Sequence, residues 1–243
     1  CAQMAQRGIT GPRNFLGGIY GYAHLYGRGK LQPEDVVAGL GTEWRLNRMM
    51  FKKYPSCGAT QGLTELTLGI IREHGLAPDD VRGVEVRLNP YCHRLVGHDF
   101  ELGDNPRVNA QFSVQYCVAN AVVRQSSKLA HFKPEQVADP TVLAFAQRVT
   151  AVSDPALDAR GHSSVDVTLT TTAGVVHARK LDISPGYPGN DLDDAQQRSR
   201  FIDCMEYAAR PLAQDQVDAF IADVERLETL PDVRALLAHL VVG

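Results

Sequence analysis

Few side chains in this sequence can move a proton near neutrality. His93, in the run Tyr91-Cys92-His93 behind a strand-like segment, is the best internal candidate for a general base because its free pKa lies near pH 7. The competing reading is a loop histidine with no role. Cys57 carries a thiol able to serve as acid or base if its pKa is lowered, and a helix beginning near Thr60 would favour the thiolate. There the competing reading is a small buried residue. Lys52 and Lys53, just upstream, are adjacent cations that alone read as solvated surface side chains. Gln61 cannot transfer protons at neutral pH but can hydrogen-bond a carboxylate. The spacing of Cys92, His93 and His98 fits no standard zinc site, so no metal is expected. Gly27-Arg28-Gly29-Lys30 looks superficially like a phosphate loop. It lacks a glycine five before Gly29, and Leu31 replaces the Ser or Thr that would hold a metal.

Composition narrows the function classes. A chain of 243 residues accommodates one or two domains, and a hydrophobic share of 44% suffices for a buried core. The formal net charge of -3 provides no basic excess to neutralise phosphates, which argues against nucleic acid as a partner. No apolar run approaches the roughly 18 residues of a membrane span, and no basic-then-apolar stretch opens the sequence. No membrane partner and a cytoplasmic location are therefore expected. The five cysteines, Cys1, Cys57, Cys92, Cys117 and Cys204, are scattered, odd in number and free of any CxxC, so a disulfide framework is not expected. Cys1 in first place reads as an arbitrary fragment boundary, with a processed N-terminal nucleophile as the alternative.

The elements that must hold these groups follow from periodicity. Residues 1–8 suggest the last turns of a helix closed by Gly8, and 9–30 an ordered, glycine-rich loop in which Tyr20, Tyr22 and Tyr26 pack. A short helix is predicted from Pro33, and Tyr54 before Pro55 is steered to an extended or turn conformation. Leu63, Leu66, Ile70 and Ile71 predict a helix from about Thr60 to His74, stopped by Gly75. Val84, Val86 and Leu88 alternate as a half-buried strand. A second helix is predicted over 107–124, with Phe112 and Tyr116 on one apolar face, and a third opens at Asp139-Pro140. Residues 165–169 and 175–181 predict an antiparallel hairpin turning at Ala173-Gly174, and everything from 191 onward reads as helical. The expected class is α+β: a large all-helical domain formed by both chain ends, 1–50 and 188–243, with a smaller α+β domain containing an antiparallel sheet inserted over 51–187.

Several separate stretches, in order, resemble one family. Ala5-Gln6-Arg7-Gly8-Ile9-Thr10-Gly11-Pro12, Gly17-Gly18-Ile19-Tyr20-Gly21-Tyr22, Lys52-Lys53-Tyr54-Pro55-Ser56-Cys57, Ala110-Gln111-Phe112-Ser113-Val114-Gln115-Tyr116 and the tail from Leu230-Pro231 are similar to successive motifs of the MmgE/PrpD family. That family includes 2-methylcitrate dehydratase, cis-aconitate decarboxylase and an iminodisuccinate epimerase. The resemblance implies the C-terminal portion of such an enzyme, a homodimer, no metal or organic cofactor, and an active site between two domains. It also implies a companion N-terminal half, whose Asp-rich loop with a His-Pro and whose Lys-x-x-His-x-Gly segment would complete the site.

The same resemblance assigns roles. Substrates of the family are di- or tricarboxylates with an acidic C–H beside a carboxylate, so cations and a proton carrier are needed. Lys52 stands at the hallmark lysine and is expected to contact a carboxylate or hold enolate charge; Cys57 stands where relatives carry cysteine or histidine. Tyr91 lies near a catalytic tyrosine of some relatives, and His93 beside it is the candidate base. Lys53, Gln61 and Ser113 are expected at the substrate, Gln61 in place of a second histidine. The resulting expectation is a hydro-lyase on a 2-methylcitrate-like acid of propionate metabolism. The alternatives are an epimerase, isomerase or decarboxylase of a small dicarboxylate, or a non-catalytic subunit or inactive fragment.

Overall fold

A computed structural model describes residues 1–28 and 30–240, so Gly29 of the Gly27–Lys30 run lies outside the described residues. The chain divides into two units, Cys1–Asn47 and Arg48–Gly243. Among the described residues the first unit holds the short α-helices α1 (Ala2–Gln6), α2 (Tyr22–Gly27) and α3 (Pro33–Val37). Its tyrosines depart from expectation. Tyr22 and Tyr26, one turn apart on α2, stack with centroids 4.7 Å apart, but both rings and that of Tyr20 are largely exposed.

In the second unit the predicted helix at 60–74 forms as α4 (Gln61–His74), its apolar residues Leu63, Leu66, Ile70 and Ile71 buried. Gly75 ends it at φ 60°, donating its N–H to the Ile71 carbonyl in the left-handed conformation that glycine adopts without Cβ strain. The strand β1 (Val81–Leu88) follows, and Asn89 then caps α5 (Pro90–Val96) by accepting from the Cys92 N–H at 2.8 Å. Tyr91, Cys92 and His93 are thus helical and not in a loop.

The helix predicted over 107–124 is two helices, α6 (Pro106–Gln111) and α7 (Val114–Arg124). Ser113 divides them: its backbone is extended, and its hydroxyl accepts from the Tyr116 N–H at 3.1 Å as an N-cap. Phe112 and Tyr116 therefore do not share a face; Phe112 is 41% exposed and Tyr116 fully buried. The chain continues through α8 (Pro134–Val137) and α9 (Pro140–Ala146), the latter capped by Asp139 as its Asp-Pro pair suggested.

A strand missing from the sequence reading, β2 (Val149–Ser153), precedes β3 (Val165–Thr171) and β4 (Val176–Leu181). The sheet order is β2-β1-β3-β4. The β1–β3 and β3–β4 pairs are antiparallel, but β1 and β2 run parallel with Val84 opposite Val149, so the sheet is mixed. The parallel pair is the consequence of returning through helices α5 to α9, a crossover connection. Helices α4 and α7 pack on the sheet, and Leu63, Val86, Val118 and Val167 belong to one core. The chain ends in α10 (Asp194–Met205), α11 (Gln214–Glu225) and α12 (Arg234–His239). Among the described residues no helix is long and apolar enough to cross a membrane.

One backbone contact fixes the segment that carries Lys52. The Phe51 N–H donates to the Gly186 carbonyl at 2.8 Å, and a Cβ on Gly186 would stand 1.8 Å from the Phe51 oxygen, at φ 82°. Gly186→Ala should therefore cost more than about 2 kcal/mol, from left-handed strain plus backbone displacement. Urea unfolding of the two proteins checks this, and an unchanged midpoint would contradict it.

Candidate functional site

The run 52–57 is neither helix nor strand, and one side chain holds it in shape. Gln61, on the first turn of α4, has no exposed surface. Its Oε1 accepts from the Tyr54 N–H at 2.8 Å, while its Nε2 donates to the Tyr54 carbonyl at 3.0 Å and to the Cys57 carbonyl at 3.2 Å. From the other side the Cys57 N–H donates to the Gln111 carbonyl at 2.9 Å, and the Gln111 amide donates to the Pro55 carbonyl at 2.9 Å. Ser56 and Thr60 share a hydroxyl bond of 2.7 Å, and Thr60 also donates to the Cys57 carbonyl at 2.8 Å. A turn with these polar groups can be buried only because each has a partner.

This turn forms one wall of a cleft of about 310 Å³, to which Lys52, Lys53, Tyr54, Pro55, Ser56 and Cys57 all contribute. Gln111 and Phe112 come from the end of α6, Leu129 from the short turn at 129–132, and Arg200, Asp203 and Cys204 from one face of α10.

The cations of the cleft differ in how they are balanced. The Lys53 ammonium lies 2.8 Å from Glu65, which also accepts from the Tyr54 hydroxyl at 2.5 Å. Burial, then the Glu65 charge, holds the Tyr54 phenol well above its ordinary range. Lys52 is exposed and makes no ion pair among the described residues. Behind Cys57 lies the wholly buried Cys117, whose thiol burial pushes up to about 12. All five cysteines are free.

The structure thus brings Lys52, Lys53 and Cys57 into one cleft with Gln61 directly behind the wall. It puts the other expected residues elsewhere. Tyr91 and His93 lie on α5, which packs against the 58–60 turn, and neither lines the cleft. Tyr91 is 49% exposed, with its ring 5.2 Å from that of His162. Tyr187 sits close by: its hydroxyl is the nearest atom to where a Gly58 Cβ would be, at 3.1 Å, and burial raises its pKa, with Cys92, Cys57 and Tyr91 adding to the effect. Ser113 is fully buried, its hydroxyl engaged as the cap of α7. No group of three or more His, Cys, Asp or Glu is placed to hold a metal among the described residues.

Arg200, Asp203 and Tyr187 escaped the sequence reading. A signal existed for the first two, since 200, 203 and 204 recur at i, i+3 and i+4 and so share one face of α10. Nothing local in the sequence ties that polar face to residue 52.

Comparison with known proteins covers most of the chain. Residues 54–227 match the MmgE/PrpD C-terminal domain, a span that starts inside the turn forming the cleft wall. The chain is also similar to the cis-aconitate decarboxylase of Aspergillus terreus, 28% identical over 149 residues. That alignment takes in 56% of this chain but only 30% of the relative's length.

Two predictions follow from the wall. Gln61→Ala strands the Tyr54 N–H and two carbonyls, and should lower stability by roughly 3 kcal/mol; chemical denaturation reads it, and a loss under about 1 kcal/mol would contradict the clamp. His131 in the 129–132 turn is pushed down to about 4 by burial, then by Arg124 and Lys128, against the pull of Asp203. A folded-state pKa below the ordinary 6.5 means that the unfolded chain takes up the proton first. Its contribution is whole above 6.5 and is lost as the pH falls toward 4. The unfolding midpoint should drop across that window, and His131→Gln should flatten the drop; parallel profiles for the two proteins would refute it.

Proposed function

The chain belongs to the MmgE/PrpD family, and from that premise we propose that it is the cleft-bearing C-terminal part of a lyase, a hydro-lyase acting on a 2-methylcitrate-like di- or tricarboxylate. The observation that carries the reading is the Lys52 ammonium, without an ion pair among the described residues, in the same cleft as the Cys57 thiol. Lys52 pairs with the carboxylate beside the acidic C–H and holds the negative charge that develops there as the proton leaves. Cys57 takes that proton and passes it to the departing hydroxyl, which leaves as water as the C–O bond breaks and the alkene forms. Tyr91 and His93 on α5 assist from behind the 58–60 turn. Lys53, Gln61 and Ser113 serve binding by holding the wall: Lys53 through Glu65, Gln61 through the backbone of 54–57, Ser113 by ending α6 where Gln111 meets the turn.

In the same reading 51–187 is a domain inserted between helical-domain segments at 1–50 and 188–243. A homodimer, or association with an N-terminal half, completes the site. The reaction needs no cofactor, and the setting is cytoplasmic propionate metabolism.

A decarboxylase is the second reading, favoured by the likeness to a cis-aconitate decarboxylase. Cys57 would then protonate the carbon vacated by carbon dioxide.

Proton and carbon-13 NMR in heavy water, on a preparation in which an upstream half of the family accompanies this chain, separate the outcomes. Dehydration gives a new alkene signal, decarboxylation releases bicarbonate, and epimerisation exchanges the C–H without either. Lys52→Ala should lower turnover at least about tenfold, the scale of one charged contact in the transition state. Unchanged kinetics would remove Lys52 from the mechanism.

A further inference from the structure

Arg200, on α10, lines the cleft together with Lys52. Two cations that border the same surface are neutralised: Lys53 by Glu65, and Arg198, two residues away, by Asp218. Arg200 has no ion pair or hydrogen bond among the described residues. Its guanidinium lies over the Phe51 ring, 5.9 Å from the centroid, and its Nε is buried with no acceptor. A buried cationic N–H without a partner is costly, and stacking on the ring of Phe51, a residue whose backbone is held by the Gly186 carbonyl, positions the fork in advance.

Asp203, one turn along the same helix, also lines the cleft. Its Oδ2 accepts from the Leu129 N–H at 3.1 Å, and it forms no ion pair with Arg200. Arg200 borders a second groove as well, with Arg72 and Lys128, but only the first cleft also holds Lys52 and Cys57.

We propose that Arg200 is the second carboxylate-binding residue of the cleft, so that the site selects acids bearing two carboxylates, one held by Lys52 and the other by the Arg200 fork. The planar guanidinium suits bidentate pairing with a carboxylate, whereas Lys52 acts as a point charge. A volume of about 310 Å³ accommodates a small polycarboxylate. This assignment rests on the reading of the cleft as a carboxylate site and adds to it the residue that sets the number of carboxylates.

Calorimetric titration of the chain as it stands tests it, with tricarballylate, succinate and butyrate as probes. Tricarballylate and succinate should bind more tightly than butyrate. Arg200→Gln should weaken the first two at least about tenfold and change butyrate less than about twofold, the loss of one charge-assisted pair. If the unaltered chain binds none of the three, the carboxylate reading falls and the role of Arg200 with it. If the chain binds and Arg200→Gln binds equally well, the role of Arg200 alone is overturned. Should Arg200→Gln not fold, butanedione labelling of Arg200 in the unaltered chain, read by peptide mass, decides. Saturating tricarballylate should slow labelling at least about fivefold; equal rates would overturn the proposal.

Discussion

Everything at the cleft depends on the amide of Gln61. A segment of irregular backbone between Phe51 and the first turn of α4 would carry unsatisfied polar groups if it were buried unaided. The single buried amide satisfies both the N–H and the carbonyl of Tyr54 and reaches the Cys57 carbonyl, so three backbone groups of the turn are fixed by one side chain. Gln111 adds a second brace from α6, and Ser113 sets where α6 stops. The wall is thereby held by two helices, and through α4 by the sheet on which that helix packs. A site whose backbone is fixed this firmly can present charges at preset positions, which is the condition for electrostatic work on a ligand.

The charges are sorted by partner. Glu65 takes both Lys53 and the Tyr54 hydroxyl, removing that lysine from the charge available to a ligand. Lys52 and Arg200 remain without a carboxylate among the described residues. Adjacent lysines in a sequence look equivalent, yet Lys53 is bound to Glu65 of α4 while Lys52, in the same cleft, makes no ion pair among the described residues.

Much of this was legible in the sequence where the signal is local. The stripe from Leu63 to Ile71, the Gly75 stop, the Asp139-Pro140 cap and the Ala173-Gly174 hairpin each rest on short-range chemistry and formed as read. Strand β2 went unseen because Val149 to Ser153 is brief and has no clear alternation of its own; its pairing with β1 decides it. The break at Ser113 was hidden by an apolar pattern that continues across it, although a serine able to cap was there to be noticed. The motif around Lys52-Lys53-Tyr54-Pro55-Ser56-Cys57 pointed to the cleft wall, but it could not tell which lysine is neutralised. Tyr91 and His93 were candidates for the same chemistry as Cys57, while the helix Asn89 initiates packs on the 58–60 turn and leaves both outside the lining of the cleft. Arg200 lies more than a hundred residues from Lys52, and only the fold joins them.

The central claim is that the wall at 52–57 receives a small polycarboxylate. Amide chemical-shift mapping of the isotopically labelled chain during titration with tricarballylate tests it most directly. The account predicts that the largest shifts cluster at Lys52 to Cys57, at Gln111 and Phe112, and at Arg200 to Cys204. Shifts centred instead on the groove of Arg72 and Lys128, or scattered over the surface at saturating ligand, would contradict it.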